Sequence, residues 1–182
     1  MGNGKPYPSD GRPGVGREGS LSQRRHHRQP VGPQRGSKRG FKGFDAAKKI
    51  HGRKRHILTD TDGRLLRVEV HGADVQDRDG AKGLLLRSRR LYPFVERVFA
   101  DGGYAGKWVD WAKNKANLTL EIVQRMPWAE GFVVIKRRWV VERTFAWIMK
   151  CRRLVRDYEQ LPAVAETLIL IAAATTLLRR WP

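Results

Sequence analysis

Hydrophobic and polar positions fall into two regimes along the chain. Up to Gly43 the apolar residues are isolated, chiefly Val15, Leu21 and Val31, and follow neither the period of a strand nor that of a helix. The same stretch is basic and holds more than half of the 19 glycines. A segment with so little to bury cannot offset the entropy of ordering itself, so residues 1–43 are expected to be disordered. From Phe44 onward the pattern is that of a folded domain, expected to span 44–182.

Within that domain "RKRHILTDTDGRLLRVEVHG" reads as a β-hairpin: two β-prone runs flank "DTDG", where Gly63 takes the positive φ of the turn. "DRDGAKGLLLRSRRLYP" predicts a helix, with Asp77 or Asp79 as N-cap and Pro93 past its end. Arg97 to Ala100 predicts a short buried strand that runs into the glycine-rich "DGGYAG". "KWVDWAKNKA" predicts a short amphipathic helix with Trp108, Trp111 and Ala112 on one side, and "LTLEIVQR" alternates as a strand does. "WVVERTFAWIMKCRRLVRDYEQ" predicts one helix through Val140, Phe145, Ile148, Leu154 and Val155. A last helix is expected from about Pro162 to Arg180. Its apolar stretch, Thr167 to Leu178, is too short for the roughly 30 Å of a bilayer, so it is expected to be buried in a core. Strands and helices alternate after an antiparallel start, which predicts an α/β domain with a mixed sheet flanked by helices.

Charge changes the picture from fold to partner. The 182 residues carry 37 Lys+Arg against 18 Asp+Glu, a net charge of +19 and a pI near 11.0. A domain so unbalanced repels itself unless an anion screens it, and nucleic acid is the partner this favours over an anionic membrane or a ribosomal site. Cys151 stands alone, so no internal disulfide forms, as suits a reducing cytosol. The first residues lack the apolar core of a signal peptide.

Two acids stand out. Asp101 directly follows the strand "RVFA", and in open α/β sheets sites collect at the carboxyl ends of strands. The competing reading is a turn-forming Asp before two glycines. Glu142 is the one carboxylate among Lys136, Arg137, Arg138, Arg143 and Lys150. Arg138, four residues earlier, shares its helix face, but an exposed pair of that kind contributes only a few tenths of a kcal/mol, about as little as surface pairs generally do. If Asp101 and Glu142 share a divalent cation, the arginines around them have phosphates to hold. The basic runs that could track a phosphate backbone include Lys48, Lys49, Arg53, Lys54, Arg55, Arg137, Arg138, Arg143, Arg152 and Arg153, with "RSRR" (Arg87 to Arg90) besides; a solvated face is the alternative for any one of them. His51, His56 and His71 show no zinc spacing with Cys151. Asp74, Asp77 and Asp79 read as capping and loop residues.

Taken together, "GFDAAKKIHGRKRHILTDTDG", "HGADVQDRDGA", "FADGGYAG", "LEIVQR" and "RRWVVERTFAWIMKCRRLVRDYE" resemble bacterial insertion-sequence transposases of family 5, over about Gly43 to Arg180. The resemblance implies a ribonuclease-H-like fold carrying three catalytic acids, the DDE triad. It implies cutting of DNA at element ends and joining to a target, with Mg²⁺ or Mn²⁺ as cofactor, in the bacterial cytoplasm at the nucleoid. DNA is the implied partner, membrane is not, and a homo-oligomer is allowed. Asp101 matches the second acid and Glu142 the third. Arg138 matches the helper arginine of the tyrosine–arginine–glutamate–lysine signature, while Ile135 and Met149 stand at its tyrosine and lysine positions.

The first acid of the family lies on its first strand, in a segment like "DSQSV". Here "RRHHRQPVGPQRGS", Arg24 to Ser37, contains no acid. One permitted set of codons for Arg25 to Ser37, read one nucleotide later, encodes valine, isoleucine, isoleucine, aspartate, serine, glutamine, serine and valine. The resemblance therefore predicts a frameshifted or truncated N-terminus, a sheet without its first strand, and an incomplete catalytic domain. Strand transfer by this chain is expected to be impaired. The alternative is a non-catalytic DNA-binding remnant that competes with the intact enzyme.

Overall fold

The computed structural model describes residues 18–25, 42–46, 49–124 and 138–180. Among them are six strands: β1 (Glu18–Arg25), β2 (Gly43–Asp45), β3 (Ile50–Asp60), β4 (Leu65–Gly72), β5 (Arg97–Ala100) and β6 (Thr119–Ile122). The helices are α1 (Asp77–Leu91), α2 (Lys107–Ala116), α3 (Arg138–Ile148), α4 (Arg152–Val155) and α5 (Pro162–Leu178). β3 is the hub and pairs antiparallel with β1, β2 and β4, while β1, β5 and β6 run parallel to one another in that order.

The β3–β4 turn forms as its residues dictate. Gly63 takes φ +86°, and an added Cβ there would lie 2.9 Å from Thr144 Oγ1 of α3, so the position has neither the conformation nor the room for a side chain. Asp60 Oδ1 accepts the N–H groups of Asp62 (2.9 Å) and Arg64 (2.8 Å) and closes the loop from below.

Strand alternation divides the apolar residues between two faces. On one face Leu21, Leu58, Val98, Ala100 and Leu120 meet Ala81, Leu84 and Leu85 of α1 and Trp108, Ala112 and Ala116 of α2. On the other, Ile57, Val68 and Val70 meet Val141, Phe145 and Ile148 of α3, Leu154 of α4, and Ala165 and Ile169 of α5. The mixed sheet flanked by helices is as expected, and β5 and α2 occupy the predicted residues.

Four expectations differ. The N-terminal segment expected to be disordered contributes β1, which lies between β3 and β5; the central strand is therefore present. Its backbone saturates the facing edges of both neighbours, an incentive that side-chain periodicity does not register. Its inward positions are Gly19 and Leu21, and a Cβ on Gly19 would already stand 3.1 Å from Leu58 Cδ1. At α1 the N-cap is Gln76, not Asp77 or Asp79, with no side-chain cap bond. Both aspartates fall in the first turn, where Asp77 pairs with Lys54 (2.9 Å) and Asp79 with Lys82 (2.7 Å).

The long helix expected from Trp139 to Gln160 breaks after Ile148, because tertiary partners claim the backbone beyond it. Arg55 donates to Leu154 O (3.0 Å), and Arg53 donates to Glu159 O (2.7 Å) and Gln160 O (2.6 Å). Finally, α5 is only partly buried: Ala165 and Ile169 are enclosed, whereas Leu170, Ile171 and Leu178 are exposed. Among the described residues no helix is long and apolar enough to cross a membrane.

Candidate functional site

Asp101 stands one residue past β5 in extended backbone (φ −77°, ψ 173°), so the strand's alternation carries through it. Val98 and Ala100 face α1 and α2; Phe99 and, two residues on, Asp101 therefore belong to the face that carries α3 and α5. The following loop is held firmly. Asp101 Oδ1 accepts Gly103 N–H (3.0 Å), Arg78 Nε donates to Gly103 O (2.9 Å), and Trp108 Nε1 donates to Arg78 O (3.0 Å). Tyr104 is buried, with its hydroxyl 3.2 Å from His56 Nδ1. The turn-forming role of Asp101 is thus real, and it fixes the carboxylate at the carboxyl end of β5.

Glu142 approaches from α3, which packs across β1 and β3 on that same face. At 3.6 residues per turn α3 has two shoulders. Thr144 and Trp147 turn toward the β3–β4 loop, where Thr144 Oγ1 donates to Gly63 O (2.9 Å), and Ile148 follows them toward Ala173 and Thr176 of α5. Glu142 lies on the opposite shoulder, about 160° around the helix from Thr144. Glu142 is exposed. The two acids thus come from separate elements, one directly after β5 and one on a helix that packs on β1 and β3.

The third position is set by register. Leu21 lies opposite Ala100 in the parallel β1–β5 pair and Ser22 opposite Ile57 in the antiparallel β1–β3 pair. By backbone register the β1 residue level with Asp101 is therefore Ser22. Carboxylates are the donors a hard divalent cation takes, so Asp101 and Glu142 fit one such ion by chemistry. A two-ion centre is another matter: among the described residues no group of three or more metal-binding side chains comes together, so their donor set does not fit two ions.

The basic residues divide sharply. Arg53, Lys54 and Arg55, expected to meet phosphates, are instead buried at 1%, 4% and 2% exposure. β3 is paired on both edges and covered on both faces, so its cations have only the interior to enter. Arg53 Nε lies 3.4 Å from Asp157, and Lys54 donates to Val75 O besides its pair with Asp77. Burial of Arg55 lowers its pKa to about 10 in spite of Asp157 nearby. Lys49, Arg152 and Arg153 are exposed, Arg153 in a pair with Glu159 (2.8 Å). Lys48, Arg137, Ile135 and the side chain of Arg138 lie outside the described residues. Met149 lies in the turn after α3 and is partly buried.

Arg143 is the basic residue whose surroundings were least legible. Its guanidinium lies 4.5 Å from the Trp139 ring centroid and 4.8 Å from that of Trp147, and its Nη2 donates to Asp62 O (2.9 Å). The spacing Trp139, Arg143, Trp147 was a signal for this stack, since residues four apart line one helix face. Arg180, whose guanidinium lies 4.1 Å from the Trp147 centroid, comes from beyond the end of α5 and no spacing could have found it.

A fold with an acid at the carboxyl end of β5 and another on α3 matches a known class. Residues 20–177 match the model of the transposase DDE domain, and the chain belongs to that family. Among curated proteins it is similar to the putative transposase for insertion sequence element IS402 of Burkholderia cepacia, with 34% identity over 116 residues, covering 60% of this chain and 54% of the relative. The chain thus spans about half the length of that relative.

Proposed function

We propose that this chain is the ribonuclease-H-like domain of a family 5 insertion-sequence transposase, that it grips DNA, and that its own strand-transfer activity is impaired. Asp101 and Glu142 are its catalytic carboxylates in this reading. What supports it is the match of residues 20–177 to the DDE family, with one acid directly after β5 and the other on α3. Mg²⁺ or Mn²⁺, when bound, would supply charge neutralisation and water activation at a phosphodiester. The chain's own part is to present the two carboxylates from a rigid loop and a helix, and to hold phosphates with the exposed cations Lys49, Arg152 and Arg153 and the half-buried Arg143. DNA at element ends and target is the proposed partner, in the cytoplasm of a bacterium.

The absence of any acid from Arg24 to Ser37, where the family's first acid is expected, favours the impaired form of this reading over a fully active one, and with it the second reading: a DNA-binding protein that competes with an intact transposase. The test is joining of element ends by purified 1–182 protein with Mg²⁺, beside DNA binding with EDTA. Binding without joining is expected; efficient Mg²⁺-dependent joining would refute the impairment. The nucleotide sequence across codons 20 to 43 tests the proposed one-base offset separately.

A further inference from the structure

We propose that the cleft between the β3–β4 turn and the ends of α3 and α5 is a second nucleic-acid contact, one that takes the phosphodiester backbone and lies away from the carboxylates. The inference rests on the reading that the chain binds DNA. The cleft has a volume of about 480 Å³ and is lined by Asp62, Arg64, Arg143, Trp147, Leu177 and Arg180. Three guanidiniums therefore face one carboxylate, and that carboxylate is exposed at the rim, 3.8 Å from Arg64.

Stacking decides the ligand chemistry. The guanidiniums of Arg143 and Arg180 lie over the Trp147 ring, their Cζ atoms 4.8 and 4.1 Å from its centroid. A stacked guanidinium keeps its in-plane N–H donors for other partners, and that planar fork matches phosphate oxygens. A nucleobase would have to displace an arginine to reach the indole, whereas a phosphate needs only the edges. Arg143 Nε is buried and has no hydrogen-bond partner among the described residues.

Register places the cleft relative to the acids. Asp60 is level with Gly19, and Gly19 with Val98, so Asp101 lies about three residues, or roughly 10 Å, further along the strands, and two strands, roughly 10 Å, across the sheet. The resulting separation of roughly 14 Å from Asp60 is about four base pairs of duplex at about 3.4 Å each, so one DNA molecule can touch both ends.

The experiment is fluorescence anisotropy of a labelled DNA duplex titrated with the full chain in EDTA, from about 50 to about 200 mM salt. The double variant Arg64→Ala with Arg180→Ala is expected to weaken binding equally on unrelated sequences. It should flatten the slope of log affinity against log salt by about 1 per arginine. The control Lys113→Ala with Lys115→Ala removes the same charge from exposed positions on α2, outside the cleft, and is expected to keep the wild-type slope. Circular-dichroism melts verify that each variant is folded. An unchanged slope in the folded cleft variant overturns this inference and leaves the DNA-binding reading standing; no salt-dependent affinity in the wild type overturns both. Inorganic phosphate, titrated by calorimetry, is expected to bind no tighter than about 1 mM. Micromolar phosphate binding lost in the cleft variant, with the duplex slope unchanged, would mark a small-anion site instead.

Discussion

Two sets of arginines in this molecule carry the same charge and lead opposite lives. Arg53 and Arg55 sit on β3, hemmed by strands on both edges and helices on both faces, and their guanidiniums hold the chain that follows α3. Arg64, Arg143 and Arg180 gather where the sheet ends, Arg143 and Arg180 over indole rings and all three lining a cleft. The difference teaches that a basic run reports charge but not address. A guanidinium on a fully paired strand becomes a clamp for backbone carbonyls; one at a turn or a helix end remains available to a partner.

That contrast can be broken most forcefully at Arg53. Arg53→Ala would strand the carbonyls of Glu159 and Gln160 and remove the guanidinium paired with Asp157, and removing one partner of a buried pair costs about 3–5 kcal/mol. Urea unfolding should record a loss of that size; a loss below about 1 kcal/mol, the level of a surface pair, would mean the residue is no clamp. Gly63→Ala comes next. Its φ of +86° and the nearby Thr144 Oγ1 predict a loss of about 1–3 kcal/mol, read by thermal melting, together with weaker DNA binding as the turn shifts against Arg143. Removing Arg64 and Arg180 should change stability by about 0.5 kcal/mol or less while altering the salt slope, the reverse of the Arg53 outcome.

The smallest effect concerns Asp60, beneath the same turn. Burial raises its pKa, outweighing the N–H groups of Arg64 and Asp62 that lower it. A carboxyl whose folded pKa is raised favours folding in its protonated form, so its contribution is present below the unfolded value and is lost as pH rises through the folded one. Asp60→Asn keeps an acceptor for the turn and removes this titration. Melting temperatures across the acid range should show a smaller decline with rising pH in the variant than in the wild type; identical profiles would rule the contribution out.

Much of the candidate site was legible before any coordinates. Asp101 was readable because a short apolar run stops at an acid followed by glycines, and Glu142 because it is a lone carboxylate on an amphipathic helix. The strand before Asp101 and the helix Lys107–Ala116 have the predicted bounds. β1 was not legible, since its inward positions offer one leucine and a glycine, and its stabilisation comes from ladder bonds to strands distant in sequence. Nor was the break after Ile148, where hydrophobic spacing continued through Leu154 while Arg55 drew that residue's carbonyl into the sheet side.

The sequence by itself determined the periodic elements from β3 onward, the strongly cationic character and the two acids, because these depend on residue types at short spacing. Tertiary structure alone decided which cations are clamps and which are contacts, that Ser22 is level with Asp101, and that Arg180 lies on Trp147. Each of these depends on burial or register between segments far apart in the chain, and local pattern carries no record of either.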